Sequence, residues 1–214
     1  MNPNYAAKVK EEINKFLRVG FIRPIKKATW LSPIVVVPKK NGKIRVCVDY
    51  QKLNPRMVTD TFLLPFMDGV LDAIASHEVY SFLDGFSGYN HIWMQPDDQE
   101  KTKFVTEWGV FVAVVMMFRI KTASTTFQCI IMEIFNEFIP VFMQVFLDDF
   151  AVYSGGGEHL QHLRLCLEKC GSYQLSLNPA KCVFGVTSGA LLGHIVSKDG
   201  IAVDQTRSRQ SWKH

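Results

Sequence analysis

Two apolar strings, Val141 to Phe146 and Phe150 to Ser154, stand three residues apart with Leu147-Asp148-Asp149 between them. Runs of this length rich in Val, Phe and Tyr read as strands, and so short a connection folds them back on each other as a hairpin. Two neighbouring carboxylates then sit at its tip. They repel each other, and no basic residue lies close in sequence to pair with them. A cation is expected there, and magnesium, a hard ion that takes carboxylate oxygens, suits the position. The other reading is an ordinary turn, in which Asp is common. A further string, Val79 to Leu83, delivers Asp84 at its end, followed by Gly85, Ser87 and Gly88. Three carboxylates at strand ends can hold two metal ions about 3.5 to 4 Å apart.

The remaining chain has the material for a core. At 214 residues, 48% hydrophobic and 21% charged, it is neither disordered nor collagen-like, and it is too large and apolar for a disulfide miniprotein. Its five cysteines are odd in number and scattered, and the one close pair, Cys166 and Cys170, has helical spacing without histidine partners. Reduced thiols are expected. The longest apolar run, Val110 to Phe118, ends at Arg119, well short of the roughly 20 residues of a membrane helix. The N-terminus lacks the basic-then-apolar order of a secretory signal, so an intracellular protein is expected. The net charge of +4 conceals a division: +9 over residues 1–60, −8 over 61–154 and +3 over 155–214. That polarity suits a protein that grips a polyanion with one part and a metal ion with another. A solvated basic face accounts for the same charges.

Along the chain, Ala6, Val9, Ile13, Phe16 and Leu17 recur at helical spacing up to Gly20. Ile34 to Val37 and Ile44 to Val48 flank Asn41-Gly42, a hairpin pattern. Lys39, Lys40, Lys43 and Arg45 crowd its turn, either as edge-strand gatekeepers or as a phosphate grip. Residues 66–76 read as a short helix and Val110 to Phe118 as a strand. Phe127, Ile130, Ile131, Ile134, Phe135 and Phe138 trace a helix closed by Pro140. Leu160, Leu163, Leu167 and Cys170 give another helix, and 182–203 read as short strands with turns at Thr187-Ser188-Gly189 and Lys198-Asp199-Gly200.

Val145-Phe146-Leu147-Asp148-Asp149-Phe150 resembles the aromatic-x-Asp-Asp motif of reverse transcriptases, and Phe82 through Ile92 resembles their first catalytic motif. Gly20-Phe21-Ile22-Arg23-Pro24, Arg45 to Tyr50 with Leu53-Asn54, Lys101-Thr102 with Phe104, Leu177-Asn178-Pro179 with Lys181-Cys182, and Leu192-Gly193-His194 stand in the order used by gypsy-type LTR retrotransposon polymerases. Over nearly its whole length the chain is similar to the reverse transcriptase domain of such a polyprotein. The resemblance implies an α+β right-hand polymerase with fingers at 1–60 and 93–122. The palm would lie at 61–92 and 123–204, its antiparallel sheet packed on helices, with a truncated tail at 205–214 and no thumb. It implies RNA-directed DNA polymerase activity by two-metal catalysis with Mg2+, Mn2+ being the other ion considered. Partners would be an RNA or DNA template with a primer and deoxynucleoside triphosphates, in the cytoplasm or a particle and without a membrane.

By the same resemblance Asp84, Asp148 and Asp149 form the catalytic metal site, Asp84 and Asp148 as direct ligands. Tyr89 would wall the sugar pocket and exclude a 2′-hydroxyl. Arg45 would stack on the incoming base and contact its phosphates, with Lys39, Lys40 or Lys43 neutralising the triphosphate. Gln128 would lie near template and nucleotide, Lys181 would donate a proton to pyrophosphate, and Leu192, Gly193 and His194 would hold the primer. The family's second motif carries two prolines and a glycine that Met116 through Gln128 lacks, with Arg119 at the glycine's place. A non-catalytic nucleic-acid-binding remnant of a degraded retroelement is therefore the alternative. An unrelated two-metal hydrolase fits the aspartates but not the flanking strings.

Overall fold

The computed structural model of the chain describes residues 3–38, 44–58, 62–85 and 88–205. In chain order its elements are α1 (Pro3–Arg18), β1 (Ile22–Pro24), β2 (Ser32–Pro38), β3 (Ile44–Val48), α2 (Met67–Ile74), β4 (Val79–Asp84), α3 (Pro96–Gln99), β5 (Phe104–Thr106), β6 (Gly109–Ala113), α4 (Ala123–Ile134), β7 (Met143–Phe146), β8 (Asp149–Ser154), α5 (His159–Ser172), β9 (Val183–Val186), β10 (Ser188–Leu191), β11 (His194–Ser197) and β12 (Gly200–Val203). Helices and mostly antiparallel strands make an α+β fold. The chain divides into two compact units, residues 1–61 with 89–124 and residues 62–88 with 125–214. Among the described residues no helix is long and apolar enough to cross a membrane, and the five cysteines form no disulfide.

The first unit is built on a five-stranded sheet of order β1-β6-β5-β2-β3. Strands β2 and β3 pair antiparallel from Ile34 with Val48 to Pro38 with Ile44; Lys39 to Lys43, the expected turn, lie outside the described residues. Helix α1 packs on β1 and β3 through Val9 and Ile13, which are four residues apart on one face and buried. The strand expected over 110–118 stops at Ala113. Beyond it Val115 bridges to Trp93, the Met116 N–H donates to the Ile92 carbonyl at 2.8 Å, and Arg119 takes φ +79°. Val115, Met116 and Met117 stay buried after the ladder ends, so the apolar run outlasts the strand.

The second unit is built on a four-stranded antiparallel sheet, β7-β8-β4-β9. Both faces of its central strands are buried, which is why they read as continuous apolar strings rather than alternating ones. Tyr80 and Phe82 of β4 and Ala151 and Tyr153 of β8 join Val70, Leu71 and Ile74 of α2 and Leu191 and Val196 of β10 and β11 in one cluster. The opposite face turns Phe150 onto Phe135, ring centroids 5.9 Å apart, and Ser81 onto His159 of α5. The helix expected up to Phe138 ends at Ile134, although Phe135, Phe138 and Phe142 remain buried in the turns that follow. In α5 the buried positions are His159, Cys166 and Cys170, while Leu160 and Leu167, expected inside, are exposed. Cys170 is buried as expected and Leu163 is half-buried, so the buried side is only partly rotated from the leucines, with His159 and Cys166 filling it. Strands β10, β11 and β12 form a separate antiparallel sheet.

Candidate active site

The two strands that carry the aspartates are neighbours, and the register sets Asp84, the last residue of β4, directly opposite Asp149, the first of β8. Phe146 pairs with Asp149 across the hairpin, leaving Leu147-Asp148 as a two-residue turn. Such turns require positive φ, and Leu147 supplies it at +53°. A leucine in that region costs about 1–2 kcal/mol, and two contacts hold it there. The Gly85 N–H donates to the Asp148 carbonyl at 2.7 Å. The side chain of Gln128, fully buried on α4, donates through Nε2 to the Val145 carbonyl at 2.9 Å and accepts the Leu147 N–H on Oε1 at 2.6 Å. Gln128 thus clamps the hairpin backbone with both ends of its amide.

Gly88 shows how tightly the turn is enclosed. A Cβ there would lie 2.5 Å from the Phe127 ring and 3.1 Å from Asp148 Oδ1. Asp84 itself is bound to the segment before β9. Its carbonyl accepts the Asn178 N–H at 2.8 Å, Gly85 bridges to Leu177, and its carboxylate takes the Lys181 ammonium at 3.1 and 2.8 Å. Among the described residues no three Asp, Glu, His or Cys side chains converge tightly enough to hold a metal ion as they stand. The backbones of Asp84, Asp148 and Asp149 are thus brought to one sheet end, while the Asp84 carboxylate faces Lys181. The donor set is all carboxylate, and an ammonium already stands as the cation on one member. Both features fit a hard divalent ion.

In the first unit the Arg45 guanidinium lies 5.2 Å from the centre of the Phe118 ring, and Tyr89 tilts against the same ring at 6.3 Å. The Tyr89 hydroxyl is 3.4 Å from Ser124 Oγ. Arg45, Phe118 and Tyr89 therefore form one cation and aromatic cluster, in which Phe118 is half-exposed. Arg119 follows at φ +79° with its side chain exposed, and Asn54 holds its loop, donating to the Arg119 carbonyl and accepting the Lys121 N–H, each at 3.0 Å. Lys39, Lys40 and Lys43 lie outside the described residues. Leu192 and Gly193, with φ +50° and +82°, make the tight turn between β10 and β11, and His194 Nδ1 lies 3.2 Å from the Leu192 carbonyl.

Sequence reasoning did not single out Phe118, Asn54 or the clamp role of Gln128. Asn54 stood in a family-like string, and Phe118 beside the altered glycine position, but a side chain's partner 65 residues away leaves no trace in local pattern. It also missed a buried polar cluster in which the His159 ring nitrogens lie 2.7 Å from Ser81 Oγ and 3.2 Å from Ser154 Oγ. Burial, and less so His162, lowers the His159 pKa from its usual value.

Residues 37–196 match the family described as reverse transcriptase (RNA-dependent DNA polymerase). A retrovirus-related Pol polyprotein from transposon opus of Drosophila melanogaster is 34% identical over 212 residues, covering 96% of this chain and 21% of its own length. The transposon Tf2-3 polyprotein of Schizosaccharomyces pombe is 32% identical over 199 residues, covering 92% of this chain and 15% of its own length. The chain thus spans about a fifth or less of these relatives. Among solved structures, a foamy viral protease-reverse transcriptase in complex with double-stranded DNA superposes with a TM-score of 0.89 at 18% identity, over 100% of this chain and 37% of that one. A foamy viral protease-reverse transcriptase in complex with an RNA/DNA hybrid gives 0.89 at 17% identity, over 100% of this chain and 28% of that one. The α+β architecture is accordingly that of a reverse transcriptase, and the chain belongs to the family of reverse transcriptases, the RNA-dependent DNA polymerases.

Proposed function

We propose that the chain is the fingers and palm of a gypsy-type retrotransposon polymerase, adding deoxynucleotides to a primer on an RNA or DNA template. The observation that carries this reading is the cross-strand pairing of Asp84 with Asp149, with Asp148 in the turn between β7 and β8. Asp84 and Asp148, with Asp149 beside them, would hold two divalent ions, Mg2+ or Mn2+. Such ions, when bound, raise the nucleophilicity of a primer 3′-hydroxyl and offset charge on the leaving pyrophosphate.

The chain's own residues position the reactants. In the reaction the primer 3′-hydroxyl gives up its proton to solvent and its oxygen bonds to the α-phosphorus as the bond to pyrophosphate breaks, and Lys181 is the proton donor to the pyrophosphate oxygen. Tyr89 bars a 2′-hydroxyl with a ring that Phe118 and Ser124 support. Arg45, held on Phe118, and the lysines at 39, 40 and 43 receive the phosphates, and Gln128 keeps the Asp148 turn in shape. Leu192-Gly193-His194 meets the primer. Arg119 stands at φ +79° with its side chain exposed, at the place of the family's glycine.

Primer extension on an RNA template with Mg2+ is the test, read as single-nucleotide incorporation at high enzyme concentration. The parent chain is expected to incorporate dNTP and Asp148→Asn to lose it. Extension that persists unchanged in Asp148→Asn overturns the assigned site. Primer-template binding without any incorporation by the parent selects the non-catalytic remnant.

A further inference from the structure

We propose that Lys181 is the counter-ion of Asp84, so that a divalent cation takes this carboxylate only by displacing the lysine, which then stays beside the site to meet phosphate. The inference rests on the metal-site reading above. Both oxygens of Asp84 lie within 3.1 Å of the Lys181 Nζ, so a second cation and the ammonium compete for the same lone pairs and repel each other. The lysine is not on a loose segment. Its own N–H and that of Cys182 donate to the Asn178 carbonyl at 3.0 and 3.2 Å, and the Asn178 N–H donates to the Asp84 carbonyl at 2.8 Å. On the other side the Asp84 N–H reaches Cys182 Sγ at 3.5 Å. The turn that carries Lys181 is therefore pinned to the backbone of the residue that it neutralises.

Two consequences follow from that strap. Metal binding without nucleotide is weakened by the work of breaking the pair. A triphosphate offers the displaced ammonium a new anion, so nucleotide and metal help each other bind, and by linkage the help is equal in both directions. Lys181 acts here as a positioning residue, setting metal affinity through Asp84.

Mn2+ titration of the full chain, with free Mn2+ read by electron paramagnetic resonance at fixed ionic strength and without nucleotide, tests this apart from catalysis. Lys181→Met is expected to bind Mn2+ up to about fivefold more tightly than the parent, the range an exposed ion pair allows. Lys181→Arg, which keeps the charge and the pair, is expected to bind no more tightly than the parent. Lys198→Met removes an equal charge paired elsewhere, with Glu78, and should leave the affinity unchanged. If Lys181→Met matches the parent, or Lys198→Met gains as much, while Asp84→Asn still loses binding, the counter-ion role is overturned and the metal site stands. If no form binds Mn2+ in a manner that depends on Asp84 and Asp148, the metal-site reading fails and this inference with it.

Discussion

Arg119 sits at φ +79°, a region that an L side chain enters at a cost of about 1–2 kcal/mol and glycine enters freely. Its side chain is exposed, so little packing is lost on removing it. Arg119→Gly is expected to raise stability by about 1 kcal/mol, offset in part by glycine's larger unfolded-state entropy, and Arg119→Ala to bring no gain. Urea melts of the two variants check the contrast, and equal midpoints would show that backbone strain is not what matters there. His159 offers a pH dependence. Buried between Ser81 and Ser154, its imidazole titrates below its usual value, from burial first and the neighbouring His162 second. The unfolded chain, with a histidine pKa near 6.5, therefore binds the proton more readily than the folded one. The stability that this group contributes is full above about pH 6.5 and is lost as pH falls toward the folded pKa. Denaturation midpoints measured at pH 8 and pH 5.5 should fall less in His159→Gln than in the parent. An identical pH slope in both would remove His159 as the cause.

At the scale of elements, the second unit depends on a close approach where glycine gives room. Gly189 of β10 lies against β4 so closely that a Cβ would meet the Phe82 ring at 2.3 Å. That contact lets the β10-β11-β12 sheet lie on the core cluster of α2, β4 and β8. Gly189→Ala is expected to destabilise by about 1–3 kcal/mol through overpacking, and Phe82→Leu in the same chain to return part of it, since neighbouring changes couple. A double-mutant cycle in urea gives the coupling directly, and strict additivity would mean that the sheet shifts freely to make room. The strap from Leu177 to Cys182 is the other element-level device, because it ties the residues before β9 to the end of β4 that carries Asp84.

For the whole molecule, the charges follow the fold. Residues 1–61 with 89–124 carry 17 Lys and Arg against 8 Asp and Glu, a net +9, and residues 62–88 with 125–214 carry 7 against 12, a net −5. The polarity seen along the sequence is thus a polarity between compact units. A basic unit that holds nucleic acid through phosphates releases counterions, so primer-template affinity should fall steeply between about 50 and 200 mM salt, with a slope of about −0.9 per phosphate contact. Arg45→Gln, placed on the phosphates of the incoming nucleotide rather than on those of the duplex, is expected to leave that slope unchanged. Fluorescence anisotropy of a labelled duplex measures both, and an affinity indifferent to salt would rule out phosphate-led binding.

Local pattern by itself determined much of this protein. Apolar strings separated by Leu147-Asp148-Asp149 had to become a hairpin with an acidic tip, because strand length and turn length are properties of neighbours in sequence. The helices at 3–18 and 159–172 and the strand that delivers Asp84 were legible for the same reason. Limits of elements were less so: the run from Val110 to Phe118 stays apolar because burial continues after the sheet ladder stops, and in α5 two of the leucines that suggested the buried side lie outside it. Only the tertiary structure decided the rest. Asp84 meets Asp149 across 65 residues because β4 and β8 are neighbours, Gln128 clamps the turn because α4 lies under it, and Lys181 reaches Asp84 because a distant segment is hydrogen-bonded to the same strand end. Each of these depends on which surfaces pack together, and packing is a property of the folded chain that no window of sequence contains.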